Sequence, residues 1–557
     1  MKNLIILFFS LTLWGACKKG SESPNPTGPS QPTSFDLSSF KVNGTYGGFI
    51  YYNVNMTPTI QASFFAPIDE TSAINSISLI DAISGATIPI SLSFQNGDSS
   101  INIRPNNALP ALTKFTFTVS GGLESKSKVK IQSPVSASLY TEIDSTAKFP
   151  QISDSALLDL VQKQTLKYFW DFGHPISGMA RERNTSGDVV TTGGTGFGIM
   201  AMIVGVKRGF ITRSDAVTRI NTIVNFLITK CTRWHGAFSH WINGTTGATI
   251  AFGNNNGADI VETSFLMEGL LCARQYFNNI AVANENALKD SINSIWNAID
   301  WNWFTQNDTQ NALYWQYNPS YTSTNDIWSI KISGWNEALI AYILGASSST
   351  HSIAEIVYDN GWANMGALKN GNTFYNIMLP LGPNLGGPLF FEHYSFMGLN
   401  PEILKDAYAD YNLQTKNHTL INRAYCIANP NNNYGYSNLC WGLTASDIQN
   451  GYNASSPTND VGVIAPTAAI SSMPYTPTES LAALKFFYYQ LGDKIWGQYG
   501  FVDAFSLKDL WFASSYLAID QGPEIVMVEN YRSGLLWSLF MSCPEIRQGL
   551  TKLGFTY

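Results

Sequence analysis

Two hydrophobic periods divide this chain. Through residues 34–132 apolar and polar positions alternate in short runs, FIYYNVNM, TIQASFFA, SISLIDA, TIPISLSF, SINIRP and KFTFTVSGG, separated by turn residues such as NG, SG and NGDSS. A period of two is that of half-buried strands, and strands of this length and spacing predict an all-β immunoglobulin-like sandwich over residues 34–133. A linker follows at residues 134–150, and then the period becomes helical. Leu158, Val161, Thr165 and Phe169 form one stripe, and Val217, Ile220, Val224 and Leu227 a second. Leu288, Ile292, Ile295 and Ile299 form a third, and Leu481, Leu484, Tyr488 and Leu491 another. Start signals recur at Ser153/Ser155, Ser214–Asp215, Asp259, Pro401–Glu402, Thr476–Pro477 and Pro523–Glu524, giving about a dozen helices. No run of buried parallel strands alternates with them, and no repeat of solenoid length is present. The pattern predicts that residues 151–557 form an all-α (α/α)6 toroid, a closed ring of helical hairpins whose long loops build a cleft at one end.

Composition narrows the function. The 557 residues carry a net charge of −7, only 13 % charged side chains, and 13 % aromatics including 15 Trp. Such a chain is globular, and the lack of basic clusters argues against nucleic acid as a partner. Its start, MKNLIILFFSLTLWGAC, is too short in its apolar run to span a bilayer and resembles a bacterial lipoprotein signal, with Trp14 where such signals carry an aliphatic residue. That reading gives a signal peptide at residues 1–16, Cys17 as the lipidated residue, and a Ser/Pro/Gly tether over residues 17–33. The protein is then expected as a monomer anchored in the bacterial outer membrane through its lipid alone, facing the periplasm or the cell surface. Cys231, Cys272, Cys426, Cys440 and Cys543 lack metal-ligand spacing and read as buried thiols, with a Cys426–Cys440 disulfide as the alternative.

The chemistry concentrates at loop-to-helix junctions that combine acids, aromatics and glycines. In WHGAFSHWINGTTGATIAFGNNNGADIVETSFLMEGLL, the aromatic and imidazole groups of Trp234, His235, Phe238, His240 and Trp241 precede a helix that opens at Asp259 and carries Glu262 in its first turns. Flat apolar faces beside a carboxylate suit a sugar-cleaving site. The plainer alternative is a capping box, with Asp259 as N-cap and Glu262 as its partner. Trp170, Glu182, Arg183 and Asp188 lie on the loop before GGTGFG, whose glycines read as a tight turn and a close helix approach because no GK[ST] follows. Trp335 and Glu337 open another helix, Glu392 and His393 sit in GPLFFEHYSFMG, Trp441 leads to Asp447, and AIDQGPEIVMVENYRSG holds Asp520, Glu524 and Glu529. First-turn acids such as Glu337 and Glu524 also suit the helix dipole. His235, His240, His393 and His418 are scattered without HxH or HExxH spacing, so neither a metal nor a cofactor is expected. Glycoside hydrolysis needs a carboxylic acid kept protonated by apolar surroundings and a second carboxylate in a polar setting. Glu262, followed by Phe265 and Leu266, fits the first role, and Asp447 the second.

Taken together, WDFGHPISGMARERN, TGGTGFGIMAM, WHGAFSHWINGTTG, GADIVETSFLMEGLL, GWNEALIAYILGASSSTH, CWGLTASD, VIAPTAAISSMPYTP and AIDQGPEIVMVENYRSGLLW resemble the bacterial glucoamylase-like domain, and more closely glycoside hydrolase family 144. The resemblance implies an (α/α)6 barrel that cleaves β-1,2-glucan with inversion, as an endo-β-1,2-glucanase or an exo-acting, sophorose-releasing enzyme. It makes Glu262 the general acid and Asp447 the base, acting directly or through a substrate hydroxyl. Trp170, Glu182, Arg183, Asp188, His235, Trp241, Asp259, Glu337, Trp441 and Glu529 are the expected contacts to the glucan. The alternatives are a glucan-binding lipoprotein without catalysis, an α-glucan hydrolase, and a lyase on the same helical ring.

Overall fold

The computed structural model of the chain describes residues 34–557, and the signal, the tether and Cys17 lie outside the described residues. These residues fall into two compact units, one taking in the chain to Pro110 together with Lys114–Tyr140, the other Ala111–Thr113 with Thr141–Tyr557.

The first unit holds β1 (Leu37–Val42), β2 (Ile50–Val54), β3 (Ile60–Phe64), α1 (Glu70–Ser76), β4 (Ile77–Asp81), β5 (Ile90–Gln95), β6 (Ser100–Pro105), β7 (Lys114–Val119) and β8 (Val135–Thr141). They form two four-stranded sheets, in the orders β1-β3-β6-β5 and β2-β8-β7-β4. Alternation puts Phe40, Ile60, Ala62, Ile101, Ile103, Phe115, Phe117 and Leu139 into one buried layer between the sheets. The rings of Phe40 and Phe117 meet there at 5.3 Å. The structure departs from the pattern in three places. β1 and α1 are added, the latter capped by Asp69 accepting from the Ser72 amide. The sandwich also extends past residue 133, because VSASLYT alternates inward and outward and pairs with β7 along its length, so the predicted linker is a strand in its first half.

In the second unit the helices are α2 (Asp154–Trp170), α3 (Thr192–Lys207), α4 (Arg213–Thr229), α5 (Ile260–Tyr276), α6 (Ala283–Ala298) and the single turn α7 (Thr324–Ile327). They continue as α8 (Leu339–Ser347), α9 (Glu355–Asn360), α10 (Tyr411–Ala428), α11 (Pro466–Ser471), α12 (Pro477–Ile495), α13 (Ala518–Ser533), α14 (Leu535–Met541) and α15 (Pro544–Lys552). Two populations stand out. α3, α5, α8, α11 and α13 are buried on nearly every side, whereas α2, α4, α6, α10 and α12 bury one face and wet the other. α3 packs against both α5 and α13, α5 against α8, and α11 against α13, while α2, α4, α6 and α12 lie against members of that inner set. None of the described helices is long and apolar enough to cross a membrane.

The predicted stripes fall on α2, α4, α6 and α12, and Ser153, Asp259 and Thr476 are N-caps. Other starts move. Thr212, not Ser214, caps α4; Pro401–Glu402 opens no helix, α10 starting at Tyr411 behind Asp410; and Pro523 lies inside α13. The GGTGFG stretch is the first turns of α3 instead of a tight turn. Its close approach is real, since a Cβ on Gly196 would stand 2.1 Å from the Phe265 carbonyl oxygen of α5. All five described cysteines are free thiols, so Cys426 and Cys440 form no disulfide.

Buried acids in this core make stability depend on pH. The Glu524 carboxyl is fully buried on α13, its Oε2 accepting from Thr165 Oγ1 at 3.0 Å and its Oε1 unpaired. Burial pushes it from 4.5 up to about 8. The unfolded chain releases this proton near pH 4.5 and the folded one only near 8, so stability falls as pH rises through that window. Glu524→Gln should therefore match wild type at acid pH and exceed it by roughly 1–3 kcal/mol at mildly alkaline pH, read from thermal unfolding across a pH series.

Candidate active site

The N-terminal ends of α3, α5, α8 and α13 converge on a cavity of about 500 Å³. Short hairpins frame it, at Trp241–Asn243 with Thr249–Ile250, Tyr314–Tyr317 with Trp328–Lys331, and Ala445–Ile448 with Gly451–Ala454. The wall is mostly aromatic and apolar, with Trp241, Phe252, Phe265, Trp315, Phe390 and Tyr394 among its residues, and its carboxyl groups are those of Glu182, Asp259, Glu262 and Glu337.

Glu262 is held between two helices. Asp259 caps α5, its Oδ1 accepting from the Val261 and Glu262 amides at 3.1 and 2.9 Å. The capping box stops halfway, because the Glu262 side chain does not return to the Asp259 amide, which donates to the Phe238 carbonyl. Instead its Oε2 crosses to α3, accepting from the Gly193 amide at 2.7 Å and Thr191 Oγ1 at 3.1 Å. Gly193 is required there, since a Cβ would lie 2.7 Å from that oxygen. Oε1 faces His240 Nε2 at 3.9 Å. Burial raises the Glu262 carboxyl above its usual range, with the charge of Asp259 adding to the rise and His240 and the Gly193 amide opposing it.

His240 supplies the local positive charge. Its Nδ1 sits 2.9 Å from Asp259 Oδ2, and Phe252 covers the ring face at 4.0 Å between centroids. Burial alone lowers its basicity, but Glu262 and Asp259 reverse that and carry it to about 9. Glu337, the residue before the first turn of α8, is pushed up to about 7 by burial, with Asp259 and Glu262 adding to it.

Asp447 stands just behind the wall. Its strand neighbour Tyr452 and the residue Ala445 line the cavity, as do Glu182 and Arg183. Arg183 Nη1 donates to both Asp447 oxygens at 3.0 and 3.1 Å, while its Nε donates to both Glu182 oxygens at 3.1 and 2.9 Å. Ser515 Oγ donates to Asp447 Oδ2 at 2.5 Å. One carboxyl is thus buried among aromatics beside a helix N-terminus, and another is held in an ion pair by a polar ring. Two such groups at one cavity can give and take a proton.

The remaining predicted contacts separate into two sets. Glu182, Arg183, Trp241, Asp259 and Glu337 line the cavity, and five others do not. Trp170 ends α2 with its ring under the Arg219 guanidinium at 4.8 Å. Asp188 is a mostly exposed partner of His174. His235 stacks on Trp303 at 3.7 Å and pairs with Asp300. Trp441 is wholly buried core. Glu529 is a fully buried structural anion on α13, held by Arg208 at 2.7 and 2.9 Å and by Gln162 and Ser533. In GPLFFEHYSFMG the acid and imidazole are core too, Glu392 meeting His418 Nδ1 at 2.5 Å and His393 meeting Ser472, and the cavity receives Phe390 and Tyr394 instead. Sequence reasoning also passed over Trp315, Thr191, Ser515 and Asp503. The alternation YWQY around Trp315 was a strand signal, but nothing local marks the others.

A family profile described as "Putative glucoamylase" matches residues 329–544, and one for a bacterial Ig-like domain matches residues 49–141. The chain is 42 % identical over 427 residues to an exo β-1,2-glucooligosaccharide sophorohydrolase (non-reducing end) of Parabacteroides distasonis, a match covering 72 % of this chain and 58 % of that protein's length. Among solved structures, an endo-β-1,2-glucanase from Chitinophaga pinensis, in complex with sophorotriose and glucose, is 48 % identical with a TM-score of 0.70, covering 73 % of this chain and 99 % of that one. A β-1,2-glucanase from P. distasonis is 34 % identical with a TM-score of 0.69, over 94 % of this chain and 73 % of that one. The chain belongs to this glucoamylase-like family of glycoside hydrolases, family 144, and carries a bacterial Ig-like module ahead of its helical domain.

The reassignment of Glu529 can be tested by stability. Arg208→Met strands a fully buried carboxylate and should cost roughly 3 kcal/mol in thermal or denaturant unfolding, whereas Trp241→Ala at the cavity wall should change stability far less.

Proposed function

We propose that this protein hydrolyses β-1,2-linked glucan with inversion at the anomeric carbon, using Glu262 as general acid and Asp447 as base. The observation that carries this is the contrast between the two carboxyls. Glu262 is buried against Phe265 and raised above its usual range, whereas Asp447 is held between Arg183 and Ser515. Glu262 donates its proton to the glycosidic oxygen as the C1–O bond breaks. A water attacks C1 from the opposite face, and its proton passes to Asp447. Because Asp447 lies behind the wall, the transfer runs through a sugar hydroxyl seated against Arg183 and Tyr452. Trp241, Trp315 and Tyr394 offer the flat apolar faces on which glucose rings stack. The three relatives named for β-1,2-glucan or its oligosaccharides, one of them exo-acting and one endo-acting, support the linkage.

The same reading closes the helices into an (α/α)6 toroid. Its inner members are α3, α5, α8, the short turn Leu389–Glu392, α11 and α13, and the packing of α13 on α3 supports closure. It also has the protein held by a lipid on Cys17 in the outer membrane, on the strength of the lipobox-like start.

The test is a product profile on linear β-1,2-glucan. Wild type should release oligosaccharides, a spread of lengths for endo action or one disaccharide for exo action. Glu262→Gln and Asp447→Asn should each lose about 10²–10⁴-fold in kcat while staying folded. Deprotonation of Glu262 should impose a fall in activity on the alkaline side, and an intact glucan with wild type would overturn the linkage.

A further inference from the structure

Behind Asp447 lies a second pair of carboxyls that proton transfer does not call on. Asp503, on the loop between Gly500–Phe501 and Phe505–Ser506, is fully buried, and Asp520, in the first turn of α13, is nearly so. The two carboxyls act directly on each other in a buried site, where a pair of carboxyls can bond only with a proton between them. Each leaves one buried oxygen without a hydrogen-bond donor, Asp503 Oδ1 and Asp520 Oδ2. Asp503 Oδ2 accepts the Asp447 amide at 2.6 Å. The Asp503 amide in turn donates to the Ser515 carbonyl at 2.9 Å, and Ser515 Oγ donates to Asp447 Oδ2 at 2.5 Å. Asp447, Asp503 and Ser515 therefore close a ring of three hydrogen bonds around the proposed base.

We propose that Asp503 and Asp520 share one proton and, in that state, act as positioning residues that fix the strand bearing Asp447. This rests on the assignment of Asp447 as the base. The titratable and charged groups whose fields reach the pair are Asp447, Arg183, Tyr452 and Tyr394. Among them only Arg183 is a cation, and it already serves Glu182 and Asp447. A single negative charge on the pair keeps Asp503 a strong acceptor for the Asp447 amide. A second charge would put like charges beside the base in a buried site. Burial acts in the same sense, moving Asp503 up to about 7 and Asp520 well above the ordinary carboxylate range.

The first measurement needs no substrate. In infrared difference spectra at neutral pH, Asp503→Asn and Asp520→Asn should each remove one protonated-carboxyl C=O band, and the double variant no more than one. No lost band, or a second band lost in the double variant, overturns the shared proton. The second measurement is kinetic. Asp503→Ala leaves the Asp447 amide unpaired and should lower kcat about 10²-fold with KM held within about threefold. Asp503→Asn, whose amide still accepts from Asp447 and donates to Asp520, should recover roughly tenfold of that loss. An Asn variant as impaired as Ala, or an Ala variant with full kcat, overturns the positioning role. Wild type failing on β-1,2-glucan would instead refute the proposed function, and the infrared comparison would still decide the pair.

Discussion

The approach of α3 to α5 is the constraint on which the site depends. Gly196 and Gly269 let the two backbones touch, each missing a Cβ that would fall within 2.2 Å of the other helix's main chain. With side chains there the helices would separate, and the Gly193 amide could no longer reach Glu262 at 2.7 Å. The glycines of GGTGFG thus serve to bring two helix N-termini together. One anchors the Glu262 side chain and the other carries its backbone. Burial of Glu262 beside that contact is what raises it.

Around that contact the protein sets two environments side by side. On the α5 side, His240 balances Asp259 and Glu262 under the cover of Phe252 and Trp241. On the other side, one guanidinium bridges Glu182 and Asp447, and the Asp447–Asp503–Ser515 ring joins the 445–454 hairpin to the segment leading into α13. Two carboxyls in such different surroundings are what the proposed acid and base require.

Most of the architecture was legible because it rests on periodicity. Residue alternation marks the sandwich, and stripes such as Val217-Ile220-Val224-Leu227 mark the outer helices. The inner helices are apolar all round and lack a stripe, so the Asp259 cap marks α5, whereas the start of α3 reads as a turn and that of α13 as Pro523, inside the helix. β8 was missed because two flanking prolines read as linker punctuation. In the site, Glu262 and Asp259 were legible because a cap and a first-turn acid are local signals. Trp441 and Glu529 misled, since an aromatic or acid near a motif looks the same whether it faces a cavity or the core. Asp503, Ser515 and Thr191 reach the site only through tertiary contacts, and no spacing in the chain announces them.

The measurement that tests the central claim most directly is the anomeric form of the newly formed reducing end, followed by proton NMR during the first turnovers on β-1,2-glucan. A water activated through Asp447 on the face opposite Glu262 requires inversion, so the α-anomer must appear first and then equilibrate. Initial appearance of the β-anomer would mean a covalent or same-face route, and would contradict the assignment of Glu262 and Asp447 as an acid and base acting across the sugar.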